Sequence, residues 1–198
     1  MPNVMRAAAV LSLVALPLAA GAQTAPLAPE KQIAAAVAPL PKEMREGATV
    51  LGYGADGKLT SLRAGTGDMI CLADDPAVER FHVACYHKGL EPFMARGREL
   101  RAAGKKTTAE VDTVRFAEIK AGKLKIPTGA SSLYSLTGEP TSYDAATGEI
   151  KGASPLHVVY IPFATAETTG LSAVPTRTSA WIMFPGTPKA HIMFTPSM

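Results

Sequence analysis

The sequence predicts one α+β domain over residues 48–198, a largely antiparallel β-sheet carrying one or two helices. Three observations predict it. Short runs rich in β-branched and aromatic residues recur between Gly, Pro, Asp and Ser turn residues, the pattern of half-buried strands. One stretch, Glu91 to Ala103, instead has Pro92 at a first helical turn and Gly104 as a stop. Two apolar runs at the end flank Pro185-Gly186-Thr187-Pro188-Lys189 and read as a closing hairpin.

The elements follow in chain order. Residues 1–22 have the three-part layout of a secretory signal: Arg6, an apolar stretch from Ala7 to Leu16, and small residues ending in Ala20-Gly21-Ala22. Cleavage is expected between Ala22 and Gln23. The stretch is too short to span a membrane, which takes roughly 20 apolar residues, and it stops at Pro17. The expected location is therefore periplasmic or secreted, with no membrane span after cleavage. Residues 23–47 are Ala/Pro-rich and read as a tether or loosely docked arm, with one short helix from Glu30 to Val37.

Thr49 to Tyr53, Lys58 to Arg63 and Asp68 to Ala73, separated by Gly-containing turns, read as a three-stranded meander. Arg80 to His87 is readable as helix or strand. The strand is preferred, because Phe81, Val83, Cys85 and Tyr86 suit a pleated surface and a hairpin there brings Cys85 near Cys71. A second helix over Thr108 to Lys120 has capping-box spacing at Thr107 and Glu110, yet Val111, Val114, Phe116 and Ile119 do not gather on one face. Ser132 to Leu136 reads as a strand. Leu156 to Phe163, apolar without alternation apart from His157, reads as a central strand covered on both faces. The hairpin pairs Ala180–Phe184 with Ala190–Phe194.

Composition excludes several classes of function. The 198-residue chain has 20 basic and 17 acidic side chains, and loss of the leader removes only Arg6. That near-balance, with no dense basic stripe or interleaved aromatics, argues for no nucleic-acid partner. The two cysteines, Cys71 and Cys85, lie in an oxidising compartment if the leader acts, so one disulfide is expected; the alternative is two buried free thiols.

Gly67-Asp68-Met69-Ile70-Cys71-Leu72-Ala73-Asp74-Asp75-Pro76, a second cysteine before a helix, and the closing Trp181 with Pro185 to Met193 resemble a group of exported bacterial proteins of unassigned function. The resemblance covers residues 65–104 and 131–198. It implies export, the disulfide and a single domain, and it brings no activity.

Motifs for chemistry are sparse. Gly129-Ala130-Ser131-Ser132-Leu133 lacks the second glycine of a nucleophile elbow and opens a strand where an elbow would end one. No phosphate cradle or cofactor fingerprint is present, and no cofactor is expected. The leading expectation is an exported module that binds a small ligand or a protein. The alternative is a hydrolase or lyase whose His157, His191 and Asp74 or Asp75 converge only in the fold. A third reading concerns the hairpin, where alternation puts Trp181, Met183, His191 and Met193 on one face. Thioethers and an imidazole suit Cu(I) or Ag(I), and the set resembles the site of periplasmic Cu(I)/Ag(I) chaperones. Core packing is the competing role for that face.

Overall fold

The arm folds onto the domain. In the computed structural model, which describes residues 25–196, Pro29–Ala36 forms helix α1 and Lys42–Arg45 the single turn α2. The leader and the expected cleavage site at Ala22 and Gln23 lie outside the described residues. Ala36, Val37 and Leu40 are buried against Val50, Met69, Cys71 and Cys85. Gln32 completes the attachment: its Nε2 donates to the Leu27 and Tyr53 carbonyls at 2.7 and 2.9 Å, and its Oε1 accepts from the Tyr53 N–H at 2.8 Å. The expectation of a loosely docked arm is corrected for a simple reason. Alanines on one side of α1 let it lie close to the sheet, and a buried amide supplies the strand with partners it would otherwise lack.

Strand β1, Thr49–Tyr53, forms an antiparallel hairpin with β2, Leu59–Arg63, but β3, Met69–Leu72, pairs with β1 in parallel. The meander is therefore corrected to the order β2-β1-β3. Between β2 and β3 the chain crosses the start of β1, where the Gly67 N–H donates to the Gly47 carbonyl at 2.8 Å. A Cβ at Gly65 would collide with the Gly47 carbonyl and the Ala48–Thr49 backbone, so this glycine serves a close crossing and not a hairpin turn.

His82–His87 is a strand, β4, antiparallel to β3, with Cys71 directly opposite Cys85. A 3-10 turn at Lys88–Leu90 leads into α3, Glu91–Ala102, followed by α4, Thr108–Lys120. The capping box is formed: Thr107 Oγ1 accepts from the Glu110 N–H, and Glu110 Oε2 accepts from the Thr107 N–H. Strands β5, Ser131–Thr137, and β6, Ser154–Tyr160, come next, then the single turn α5, Ala166–Thr169. Strands β7, Trp181–Met183, and β8, His191–Phe194, close the chain. The eight strands form one sheet in the order β2-β1-β3-β4-β5-β6-β8-β7, with β1 and β3 its only parallel neighbours among the described residues.

The two sheet faces are covered differently. On one, Val83, Cys85, Tyr134 and Leu136 pack beneath α1 and the loop carrying Tyr143, Ile150 and Ala153. On the other, Tyr86, Leu133, Val158, Tyr160 and Met193 pack with Leu90 and with Met94 of α3. Helix α4 lies against α3, joined by Arg96, whose Nε and Nη2 both donate to the Glu118 carboxylate. Among the described residues no helix is long and apolar enough to cross a membrane.

Candidate functional site

Helix α1 covers only the β1–β4 half of its face. Beyond it, β5, β6 and β8 floor an open cleft of about 590 Å³, walled by Thr178, Ser179 and Ala180 on one side and by Thr195 and Pro196 at the end of β8. Strand register builds the floor. Tyr134 lies opposite His157, and His157 lies opposite Phe194, so three aromatic rings form a row across three strands. The next row along is Ser132 opposite Val159.

The Tyr134 and His157 rings meet edge to face, 5.0 Å between centroids. Among the described residues neither the Tyr134 hydroxyl nor the His157 ring is hydrogen-bonded to another side chain or to the backbone, which leaves both polar tips free for a bound molecule. Burial pushes the His157 pKa below the ordinary histidine value, so the ring is neutral at pH 7. Among the described residues no Asp, Glu, Lys or Arg lines the cleft. It therefore offers stacking surface and a few uncharged hydrogen-bonding groups, the composition of a small-molecule pocket.

The other sequence candidates do not converge here. His157 and Tyr160 are three residues apart in β6, and His191 pairs with Tyr160, so His191 projects from the opposite face of the sheet. Asp74 accepts the His82 N–H at 2.7 Å, and Asp75 accepts the Ala77 N–H at 2.9 Å, so both carboxylates act on the backbone of the β3–β4 connection. Burial raises the Asp74 pKa, the His82 bond opposes that, and the neighbouring Asp75 adds to it. The His/carboxylate arrangement of the hydrolase or lyase reading is not assembled by these four residues. Among the described residues no group of three or more His, Cys, Asp or Glu is placed to hold a metal ion.

The closing hairpin has the expected register. Trp181 pairs with Met193, Ile182 with Ile192, and Met183 with His191, which puts Trp181, Met183, His191 and Met193 on the α3 side of the sheet. Its strands are shorter than expected, because the turn begins at Phe184, held at φ 54°. That left-handed backbone is costly for a bulky side chain. It sets the Phe184 ring 5.8 Å from the His191 ring and 4.5 Å from Lys189 Nζ. Lys189 reaches Asp112 of α4 at 2.8 Å, and Asp112 also receives Arg115, whose guanidinium stacks on Phe93 at 3.7 Å.

Sequence reasoning missed Ser132, Tyr134, Val159, Phe194 and the wall at residues 178–180. One signal is present in the sequence: the unalternating apolar run in β6, a pattern that also suits a strand with two covered faces. Among the described residues the α3 face of β6 is the covered one, and Val159 and His157 line the cleft on the other. Comparison with protein-family models, with curated proteins and with solved structures finds no match to this chain.

Proposed function

We propose that this is an exported binding module for a small, uncharged, mainly aromatic or aliphatic molecule, held in the β5–β6–β8 cleft. The observation that carries the reading is the Tyr134–His157–Phe194 row on the floor of a cleft with no charged lining residue among the described residues. Its volume falls in the range of about 300–1,000 Å³ typical of ligand pockets. Rings on the floor stack on a planar ligand, and His157 and Tyr134 give it one or two hydrogen bonds that fix orientation. Export is supported by the leader at residues 1–22 and by the Cys71–Cys85 disulfide, a bond that persists in oxidising compartments.

The test uses N-phenyl-1-naphthylamine, a neutral aromatic fluorophore. We expect one saturable site, obstructed by Ser132→Phe, which sets a bulky ring on the cleft floor, and weakened about two- to tenfold by His157→Leu, the worth of one hydrogen bond of about 0.5–1.5 kcal/mol. Because the His157 pKa is depressed below the ordinary histidine value, binding should decline as the pH falls below about 6.5, as a charge enters the uncharged site. Absence of saturable binding, together with no small molecule released on denaturing protein recovered from its host, would overturn the reading. Export has its own check. The chain recovered outside the cytoplasm should begin at Gln23, and an N-terminus at Met1 or Pro2 would contradict it.

A further inference from the structure

We infer that the α3-side face of the closing hairpin, Trp181, Met183, His191 and Met193, binds one soft monovalent d10 ion, Ag(I) or Cu(I). The site is on the opposite face of the sheet from the cleft and does not depend on it.

Pairing places the donors. Met183 is directly opposite His191, and Met193 is two residues along β8 from His191 on the same face, with Trp181 directly opposite Met193. Paired Cβ atoms in an antiparallel ladder are about 4.5–5.5 Å apart, and diagonal neighbours about 7–8 Å, so two thioethers and one imidazole can meet at a point above the hairpin. The indole of Trp181 then faces the bound cation across the pair.

His191 is prepared as a ligand. The residue is 5% exposed, and its Nδ1 lies 2.7 Å from the Lys189 carbonyl oxygen, which can only accept. Nδ1 therefore carries the proton, and Nε2 presents a lone pair that no group among the described residues occupies. This carbonyl bond to the far ring nitrogen is the usual second contact of a metal-ligating histidine, fixing tautomer and orientation together. Tyr160 and Phe184 hold the ring from two further sides, with centroids 4.9 and 5.8 Å away. The backbone strain at Phe184 is thus spent on the position of this imidazole.

Donor chemistry sets the ion. Two thioethers and a neutral imidazole carry no charge and are soft, which suits a monovalent d10 ion; Ca(II) and Mg(II) need oxygen ligands, and Zn(II) sites use thiolate, imidazole or carboxylate. Asp112, the carboxylate that the hairpin's own Lys189 reaches, is already bound to Lys189 and Arg115. Access is available because β7 is the last strand of the sheet, and Trp181 and Met183 are only half-buried there. Met193 packs on the cluster of Tyr86, Leu90, Val158 and Tyr160, which gives the inner side a dry wall.

Silver is the better probe, because it needs no reductant and leaves the disulfide intact, and the sequence has no third cysteine to compete. Silver nitrate is titrated into the purified, oxidised protein at micromolar concentration in chloride-free buffer. Emission is read from Trp181, the sole tryptophan. A saturable change complete at one equivalent is expected, with one silver per chain in the native mass spectrum and no such change with Zn(II) or Ca(II). Met183→Leu and Met193→Leu conserve volume while removing sulfur. Each should weaken binding at least tenfold, and the double variant should abolish it while leaving circular dichroism and naphthylamine binding unchanged. His191→Gln should also weaken it at least tenfold. No saturable change in the wild type, or an unchanged titration in the double Met variant or in His191→Gln, would overturn the assignment.

Discussion

Asp112→Asn should lower stability by about 3–5 kcal/mol, measured as a fall in the urea midpoint at pH 7 with an unchanged slope. The carboxylate sits between two cations in a nearly dry junction. Side-chain exposure is 15% for Asp112, 8% for Arg115 and 12% for Lys189. Arg115 also donates to the Phe93 carbonyl at 3.1 Å, while its Nε has no partner among the described residues, so the guanidinium has no alternative counter-charge. Removing the one anion leaves two buried positive charges facing each other, which is far worse than losing an exposed ion pair.

Two companion measurements separate this cause from general damage. In Asp112→Asn/Lys189→Met one of the stranded cations is gone, so part of the loss should return. Glu118→Gln breaks the more exposed Arg96–Glu118 pair between α3 and α4 and should cost much less. Acid gives the same result by another route. Burial alone would raise the Asp112 pKa, but the hydrogen bonds from Lys189 and Arg115 outweigh it and hold the carboxyl below its ordinary value. A carboxylate depressed in the folded state contributes stability above its unfolded pKa of about 3.9 and loses it as pH falls through the folded value. Wild type should therefore lose stability steeply below about pH 4, and Asp112→Asn, already without the bond, should show a shallower acid limb. Equal limbs would remove Asp112 from the acid transition.

The same residues explain why α4 was hard to read as an amphipathic helix. Its buried positions are Val111 and Arg115, one turn apart, with Asp112 beside them. A charged pair stands where an amphipathic helix would carry an apolar residue, so hydrophobic periodicity is absent even though the helix packs and its ends match the predicted bounds. By contrast β4 was legible because Phe81, Val83, Cys85 and Tyr86 combine β propensity with a cysteine that has a partner across the hairpin. The order β2-β1-β3 was not legible. Glycines at 65 and 67 look alike in sequence whether they turn a hairpin or let two backbones cross, and only the Gly47 contact distinguishes them. The cleft was hidden for a related reason. Tyr134, His157 and Phe194 are far apart in the chain, and their alignment depends on the register of two separate strand pairs, which periodicity within one strand does not encode. The hairpin face was readable because its pairing is local.

Removing the disulfide should be the other large effect. Cys71 and Cys85 pair directly across β3 and β4, 14 residues apart in sequence, and both are fully buried. On the chain-entropy account, closing a loop of about 15 residues in the unfolded chain stabilises the fold by about 3 kcal/mol. Cys71→Ala/Cys85→Ala should lose at least that, because the vacated sulfur volume lies directly beneath Ala36, Val37 and Leu40. The urea slope should rise, since an uncrosslinked chain exposes more surface when unfolded. Burial adds a kinetic expectation. Helix α1 roofs the bond so closely that the Ala36 carbonyl oxygen is 3.1 Å from the Cys85 sulfur, and a reductant reaches it only after α1 lifts. The folded protein should resist dithiothreitol for much longer than the urea-unfolded chain. Gln32→Ala, which removes the bonds from α1 to Leu27 and Tyr53, should shorten that protection under conditions where the fold itself persists. Reduction of the native protein at the unfolded-chain rate, or at a rate that Gln32→Ala leaves unchanged, would show that α1 does not guard the bond.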